Sequence, residues 1–305
     1  MQSIGKYALR WFLLTAALWC VPAPAHDFWV EPSPFRPLPG ATVKVSLRVG
    51  QDFVGDPVPY MSGAIDQFFV RQDGEDRTIS GSDGLEPAGF LRAAGNSTAV
   101  IAYSSAGSFV ELPADRFEAY LKQYGLDDII AERARRGESL EPGRERFYRY
   151  AKALLTGAEP SPAVVKPIPF AYEIVPDEDP TARFGVFRGH VLYDQQPLAN
   201  ALVEALFKDE PSVRLSARSD AQGEFSLMLP QAGVWLIKSV HMERAGFFSD
   251  GDWESSWASL PRRHPGLGGD RRHRAVLDRP ARVRIVAQRT RSTNVSTSRS
   301  PERVA

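Results

Sequence analysis

The sequence predicts a mainly β protein, with two antiparallel β-sandwich units of immunoglobulin or transthyretin type and a helical pair inserted between them. Apolar and polar residues alternate over 41–49, which is the period of a half-buried strand. Five further strand candidates follow one another within 185–241, separated by turns. Between the two regions, apolar residues recur at the helical spacings of three and four. The 24 glycines and 24 prolines also favour a turn-rich β protein over a helical bundle.

In the first unit, short strands are predicted between turn signals such as Asp73-Gly74. They lie at 41–49, 67–70, 77–79, 98–103 and 108–112. A first helix is predicted from about Asp115, with a break at Gly125. A second helix is predicted over 144–155, with Gly157 as its C-cap. The strands of the second unit are predicted at 185–193, 201–208, 213–219, 224–229, 234–241 and 252–260.

These elements divide the chain behind its first 25 residues into five parts. We predict an N-terminal β domain over 26–112, a helical insertion over 113–157 and a second β-sandwich over 183–260. The segment 158–182 holds six prolines, which restrict the backbone and remove hydrogen-bond donors, so it is predicted to be a linker or an extended segment along a sheet edge. The Arg-rich tail 261–305 has no period and is predicted to be largely disordered, with a short strand candidate at 281–287.

The composition excludes several classes of protein. Of the 305 residues, 43% are apolar, and 37 basic residues balance 37 acidic ones. These values are typical of a globular protein and exclude a polytopic membrane protein, a collagen and a disulfide-rich scaffold. The zero total charge gives no indication of nucleic-acid binding, and we predict no nucleic-acid partner. The charge is unevenly distributed, since 261–305 carries +9 and 26–260 carries −11.

The first 25 residues resemble an export signal. Lys6 and Arg10 form a charged region, and the apolar run 11–21 follows it. This run of eleven residues is shorter than the roughly twenty that span a bilayer. We predict cleavage between Ala25 and His26, which gives a periplasmic or secreted product without a transmembrane span. The only cysteine lies within the signal, so disulfides and thiolate metal sites are not expected in the product.

His26 is the most informative candidate for chemistry. After cleavage it becomes the first residue and offers an α-amine and an imidazole on one backbone unit. Both nitrogens of such a residue can close a chelate ring on one metal ion. Nitrogen ligands suit nickel, cobalt, copper or zinc better than calcium or magnesium. The sequence therefore predicts a divalent transition-metal site at the new N-terminus.

Further ligands are predicted where the strand 234–241 opens into a polar loop. His241 would supply a second imidazole, and Asp252 or Glu254 an oxygen or a supporting contact. His190 is interpreted as structural because it lies inside a strand candidate. We find no phosphate loop, HExxH or G-x-S-x-G motif, and therefore predict a non-catalytic protein.

Several separated blocks resemble the NikM-like family of exported proteins of unknown function. They are 26–32, 108–113, 116–121, 143–146, 235–242 and 252–260. The family's relation to nickel and cobalt uptake implies metal capture in the periplasm and a membrane transporter component as partner. The second unit also resembles carboxypeptidase-regulatory-like sandwiches through 191–204 and 220–229. The family's chains continue after the last block with an apolar closing strand, which Pro261-Arg262-Arg263 replaces here.

Three functions are open at this point. The first is a soluble periplasmic binding protein for nickel, cobalt or copper, acting as an accessory to metal uptake. The second is a non-catalytic envelope module that binds a polysaccharide or a protein, with aromatic residues such as Trp235 stacking on sugars. The same aromatic residues are the ones that a β core needs, and we interpret them as core. The third is a copper oxidative enzyme that uses the terminal histidine.

Overall fold

The structure is a computed structural model that describes residues 26–179 and 185–264. The strands before the helices are β1 Asp27–Ser33, β2 Thr42–Gln51, β3 Val54–Val58, β4 Ile65–Gln72, β5 Glu75–Thr78, β6 Gly89–Arg92, β7 Ala99–Ser105 and β8 Ser108–Leu112. The helices are α1 Ala114–Gln123 and α2 Asp127–Arg136. The later strands are β9 Gly143–Leu155, β10 Tyr172–Pro176, β11 Val186–Tyr193, β12 Gln196–Pro197, β13 Leu202–Phe207, β14 Arg214–Arg218, β15 Glu224–Met228, β16 Gly233–Arg244 and β17 Trp253–His264.

The strands form three sheets arranged in layers. The central sheet has nine strands, in the order β14-β13-β16-β17-β9-β7-β4-β5, with β8 also paired to β9. One four-stranded sheet contains β1, β2, β3 and β6, and the other contains β10, β11, β12 and β15. The predicted mainly β, sandwich-like fold class is therefore confirmed.

The alternation of side chains along the central strands explains the layers. On β7, Val100 and Ala102 belong to the core shared with the sheet of β10 and β11. Their neighbour Ile101 belongs to the core shared with β1 and β2 on the opposite face. The two helices, the C-terminal half of β16 and the N-terminal half of β17 enclose a third core around Phe117 and Trp257. Each face of the central sheet thus has its own apolar partner.

The two predicted β units share one sheet. Strand β9 from the first half pairs with β17 from the second half, in parallel, from Trp253↔Glu145 to Ser259↔Ala151. The helices lie before β9 and do not separate the two halves of the chain at the level of the sheet.

The predicted second helix at 144–155 is wrong. Those residues lie in strand β9, so the helical part of the insertion 113–157 ends at Arg136. Strand β9 lies between β7 and β17, and residues Ala151 to Leu155 are buried on both faces. In a strand that is buried on both faces, apolar and polar residues no longer alternate with a period of two. The spacing of its apolar residues is then also compatible with a helix. The break at Gly125 is confirmed, since its φ of +64° lies in the left-handed region.

The prediction of a linker over 158–182 is also wrong for most of its length, whereas the alternative of an extended segment at a sheet edge agrees with the position of β10 at the end of its sheet. Ile168 and Phe170 are buried in the core, and Tyr172–Pro176 forms strand β10. The prolines restrict an extended segment that lies against the central sheet instead of separating two bodies.

The closing strand is longer than predicted. Strand β17 continues four residues past 260, and Pro261 to His264 pair with Leu236 to Gly233 of β16. The predicted strand at 281–287, the rest of the tail and the predicted signal segment 1–25 lie outside the described residues. Within 26–179 and 185–264, no helix is long and apolar enough to cross a membrane.

Candidate functional site

The residue that follows His26 is fixed in the interior. His26 itself is partly exposed and immediately precedes β1. The two carboxylate oxygens of Asp27 lie 2.7 and 2.8 Å from Nζ of Lys238, and both side chains are buried. The hydroxyl of Tyr124 donates to Oδ1 of Asp27 at 3.1 Å. We call Asp27, Tyr124, Lys238 and Glu204 the N-terminal anchor.

Glu204 extends this anchor towards the surface. Its Oε2 atom lies 3.3 Å from Nζ of Lys238, and its Oε1 atom accepts from Arg214 at 2.8 Å. Arg214 also bonds Asp52 near the β2–β3 turn. The ammonium of Lys238 lies 4.6 Å from the ring centroid of Tyr124, and burial together with Asp27 raises the pKa of the Tyr124 hydroxyl. The network pairs each buried charge with an opposite one, as burial in a low dielectric requires.

His241 lies on the other face of β16. It is three positions after Lys238, and side chains alternate along a strand, so the imidazole and the ammonium point to opposite faces. The ring of His241 packs at 4.4 Å from Tyr193 and 5.9 Å from Tyr172. Burial lowers the pKa of His241, which favours the neutral imidazole. The structure therefore places the ring of His241 away from the carboxylate of Asp27.

Glu254 shares a face with His241, whereas Asp252 lies in the hairpin loop. Glu254 is directly opposite Glu243 in the β16–β17 register. Glu243 accepts from the hydroxyl of Tyr193 at 2.7 Å. Burial and the neighbouring Glu243 raise the pKa of Glu254. Asp252 instead lies 3.7 Å from Arg144.

No preformed metal cage lies within the described parts of the chain. Across 26–179 and 185–264, no group of three or more His, Cys, Asp or Glu side chains is arranged to hold a metal ion. The structure brings His241 and Glu254 to one face of the sheet, and does not bring His241 to the face of the N-terminal anchor. A ligand set at His26 would therefore consist of the terminal residue itself and ligands from outside this network.

A small cavity of about 170 Å³ lies beside the edge of β16 at His241 and Met242. Asp127, Asp128 and Arg218 contribute its charged lining. Pockets for drug-sized ligands and cofactors have volumes of several hundred Å³. This cavity has room for a few water-sized groups.

The tryptophans that could have stacked on sugars are core residues. Trp29, Trp235 and Trp253 are each exposed by 1% or less, and Trp257 by 7%. Their rings pack in the apolar layers and are closed to a carbohydrate. The sugar-stacking interpretation of these residues has no support in the structure.

Sequence reasoning missed several buried charged residues, among them Asp27, Lys238 and Glu145. Lys238 interrupts the apolar run 234–240, and this interruption was a signal that could have been used. Glu145 is completely buried, and its Oε1 atom accepts from Tyr120 at 3.0 Å and from Ser255. Its Oε2 atom has no hydrogen-bond partner, and burial raises its pKa to about 7.

Comparison with protein families gives one match. A family model described as a domain of unknown function, DUF4198, matches residues 23–243. No curated protein matches the chain. The matched region begins just before the predicted cleavage position and includes His26, all four residues of the N-terminal anchor and His241. Asp252 and Glu254 lie beyond it.

Proposed function

The chain belongs to the DUF4198 family. We propose that its processed form is a periplasmic binding protein for a divalent transition metal, namely nickel, cobalt or copper. The metal is cargo, and a membrane transporter component receives it, as the resemblance to the NikM-like proteins implies. His26 supplies both protein nitrogens, its α-amine and its imidazole.

The observation that carries this proposal is the burial of Asp27 next to His26. The ion pair with Lys238 and the hydrogen bond from Tyr124 fix the backbone one residue away from the chelating group. An N-terminal histidine on a flexible tail would lose conformational freedom when it bound an ion. A fixed backbone reduces that entropic cost and so increases affinity.

The proposed site binds through few protein ligands. Two nitrogens from one residue leave the other coordination positions of a tetragonal copper or nickel ion open to water or to a partner. An ion held in this way can pass to a second protein by stepwise ligand exchange. We leave His241, Asp252 and Glu254 out of the primary ligand set. His241 and Glu254 share the face of the sheet that is opposite to the N-terminal anchor, and Asp252 lies next to Arg144.

The test compares two proteins that differ only at the N-terminus. One is the processed chain 26–305 beginning with His26, and the other carries one extra glycine in front of it. The extension keeps the imidazole and converts the amine into an amide. We expect calorimetry with nickel, cobalt and copper to show binding by the first protein and a loss of about a hundredfold in the second.

Two further variants separate the roles of the residues. Asp27→Asn should weaken metal binding about tenfold, because the backbone beside His26 is then held less firmly. His241→Ala should leave the affinity unchanged. Equal affinity of the extended and processed chains would overturn the terminal chelate. A large loss in His241→Ala would return His241 to the ligand set.

A further inference from the structure

Three apolar side chains protrude at one end of the molecule. Leu140, Phe247 and Phe248 are exposed by 91, 95 and 98%, the highest values among the large apolar residues of the described regions. Phe247 and Phe248 lie in the loop between β16 and β17 and contact each other edge to face at 5.3 Å. Leu140 lies between α2 and β9. We call these three residues the apolar tip.

The two segments of the apolar tip are held next to each other. Arg244, the last residue of β16, bonds both carboxylate oxygens of Glu138 at 2.9 and 2.8 Å. Arg133 donates to the carbonyl oxygens of Glu138 and Glu141, on either side of Leu140, at 2.7 Å each. On the hairpin side, Arg146 bonds the carboxylate of Asp250 at 2.9 and 2.8 Å. The tip is therefore a supported part of the fold.

The segments of the apolar tip carry no net charge, although the chain around them is acidic. Residues 26–260 carry −11 in total. The two tip segments, 135–146 and 244–252, contain five basic and five acidic residues and are neutral together. Arg144 beside the tip keeps a side chain that is 47% exposed. The tip segments therefore add no net negative charge that would oppose their approach to a phosphate-bearing surface.

We propose that the apolar tip docks on the surface of a lipid bilayer, with Leu140, Phe247 and Phe248 inserted among the acyl chains and Arg144 at the phosphate level. Hydrocarbon accepts a protruding side chain without a complementary pocket, whereas a protein partner must supply a cavity for each anchoring residue. A long cationic side chain beside apolar residues can keep its charge at the headgroups while its stem is buried. Membrane docking of this kind is independent of the proposed metal site.

The primary test measures co-sedimentation of the processed chain 26–305 with vesicles of phosphatidylcholine alone. This lipid has no net charge, so attraction of the Arg-rich tail to anionic lipid does not contribute. A triple variant, Leu140→Ser, Phe247→Ser and Phe248→Ser, is compared with a matched control, Leu38→Ser, Leu85→Ser and Phe90→Ser. The control removes three other exposed apolar side chains of the described surface. We expect the tip variant to reduce partitioning about tenfold and the control to leave it unchanged.

A fluorescent probe tests which part of the molecule enters the bilayer. The processed chain has no cysteine, so Ser249→Cys and Ala232→Cys each give one labelling site, in the hairpin loop and at the opposite end of β16. We expect a blue shift on vesicle binding for the label at residue 249 and none for the label at 232, with little dependence on salt.

Several outcomes would overturn the proposal. One is equal loss of binding in the tip and control variants, which would indicate general surface hydrophobicity. Another is binding that requires anionic phosphatidylglycerol and disappears in high salt, which would assign it to the tail. A blue shift at residue 249 that grows with protein concentration in the absence of vesicles would assign the tip to self-association.

Discussion

Lys238 and Asp27 are 211 residues apart in the chain and form a buried ion pair, with Nζ at 2.7 and 2.8 Å from the two carboxylate oxygens. The pair links the first strand to the middle of β16. Glu204 and Tyr124 contact the pair from β13 and from the end of α1. His26, which we propose as the metal-chelating residue, is therefore attached through Asp27 to the centre of the fold.

Removing one charge of this pair should destabilise the protein strongly. In Lys238→Met, the carboxylate of Asp27 stays buried with only the Tyr124 hydroxyl as a partner from the anchor. We expect a loss of about 3–5 kcal/mol in the free energy of unfolding, measured by urea denaturation. The double variant Asp27→Leu with Lys238→Met removes both charges and should recover much of the loss. A double variant as unstable as Lys238→Met would contradict the assignment of the loss to the unpaired charge.

Glu145 should make stability depend on pH. Burial raises its pKa from 4.5 to about 7 in the folded protein. Below pH 4.5 both the folded and unfolded states carry the proton. As the pH rises from 4.5 to 7, the unfolded state loses it first, so stability falls by roughly 3 kcal/mol and stays low above pH 7.

The measurement is the urea unfolding free energy of the wild type and of Glu145→Gln at pH values from 4.5 to 8.5. The glutamine cannot ionise, so the fall assigned to Glu145 should be absent from the variant. If the glutamine amide next to Tyr120 and Ser255 destabilises the variant, it does so equally at every pH. The change of the unfolding free energy with pH is therefore unaffected. Parallel curves for the two proteins would show that the carboxyl group of Glu145 is not the cause.

The sequence revealed those elements that have one face in water. Strand β2 was predicted because Lys44 and Arg48 alternate with the buried Val43, Val45 and Leu47. Strand β1 was not identified as a strand because four consecutive residues from Asp27 are buried, which leaves no alternation. The helix prediction over β9 fails for a related reason, which is the burial of this strand on both faces.

The candidate site was predictable only in part. His26 could be identified as a candidate from its position behind the predicted signal segment. The interruption of an apolar run at Lys238 could have indicated a buried charge, but its partner Asp27 is fixed only by how β1 lies across the central sheet. The prediction that His26 and His241 share one site requires the two residues to be close in space. The sequence alone does not show this, because it does not show which face of β16 lies next to the N-terminus.

Gly143 should resist substitution because of its contact with helix α1. A Cβ atom at this position would lie 2.2 Å from the ring of Phe117, which is fully buried. Gly143→Ala should therefore destabilise the protein by about 1–3 kcal/mol through overpacking. The matched control is Gly63→Ala, where a new Cβ meets nothing within 4 Å. Thermal unfolding of both variants checks this, and equal midpoints would show that α1 can move away at little cost.

The last four residues of β17 should be required for the stability of the part of the fold that the second half of the chain forms. Its last four residues pair with Gly233 to Leu236 of β16, and the guanidinium of Arg262 lies buried 5.1 Å from the ring centroid of Phe187. His264 is also buried, and the backbone N–H of Gly185 donates to its Nε2 atom at 3.3 Å. A chain that ends at 260 loses these backbone hydrogen bonds and uncovers apolar surface around Phe187.

We therefore expect the chain 26–260 to be about 2–4 kcal/mol less stable than the chain 26–264, since several net hydrogen bonds and one buried aromatic contact are lost. Urea unfolding of the two truncated proteins, followed by tryptophan fluorescence, measures the difference directly. Arg262→Lys in the longer chain separates the contributions, because it keeps the backbone pairing while it removes the planar guanidinium from Phe187. If both truncated chains unfolded at the same urea concentration, residues 261–264 would add nothing to the sheet, and the predicted end at 260 would be the correct limit of the stable fold.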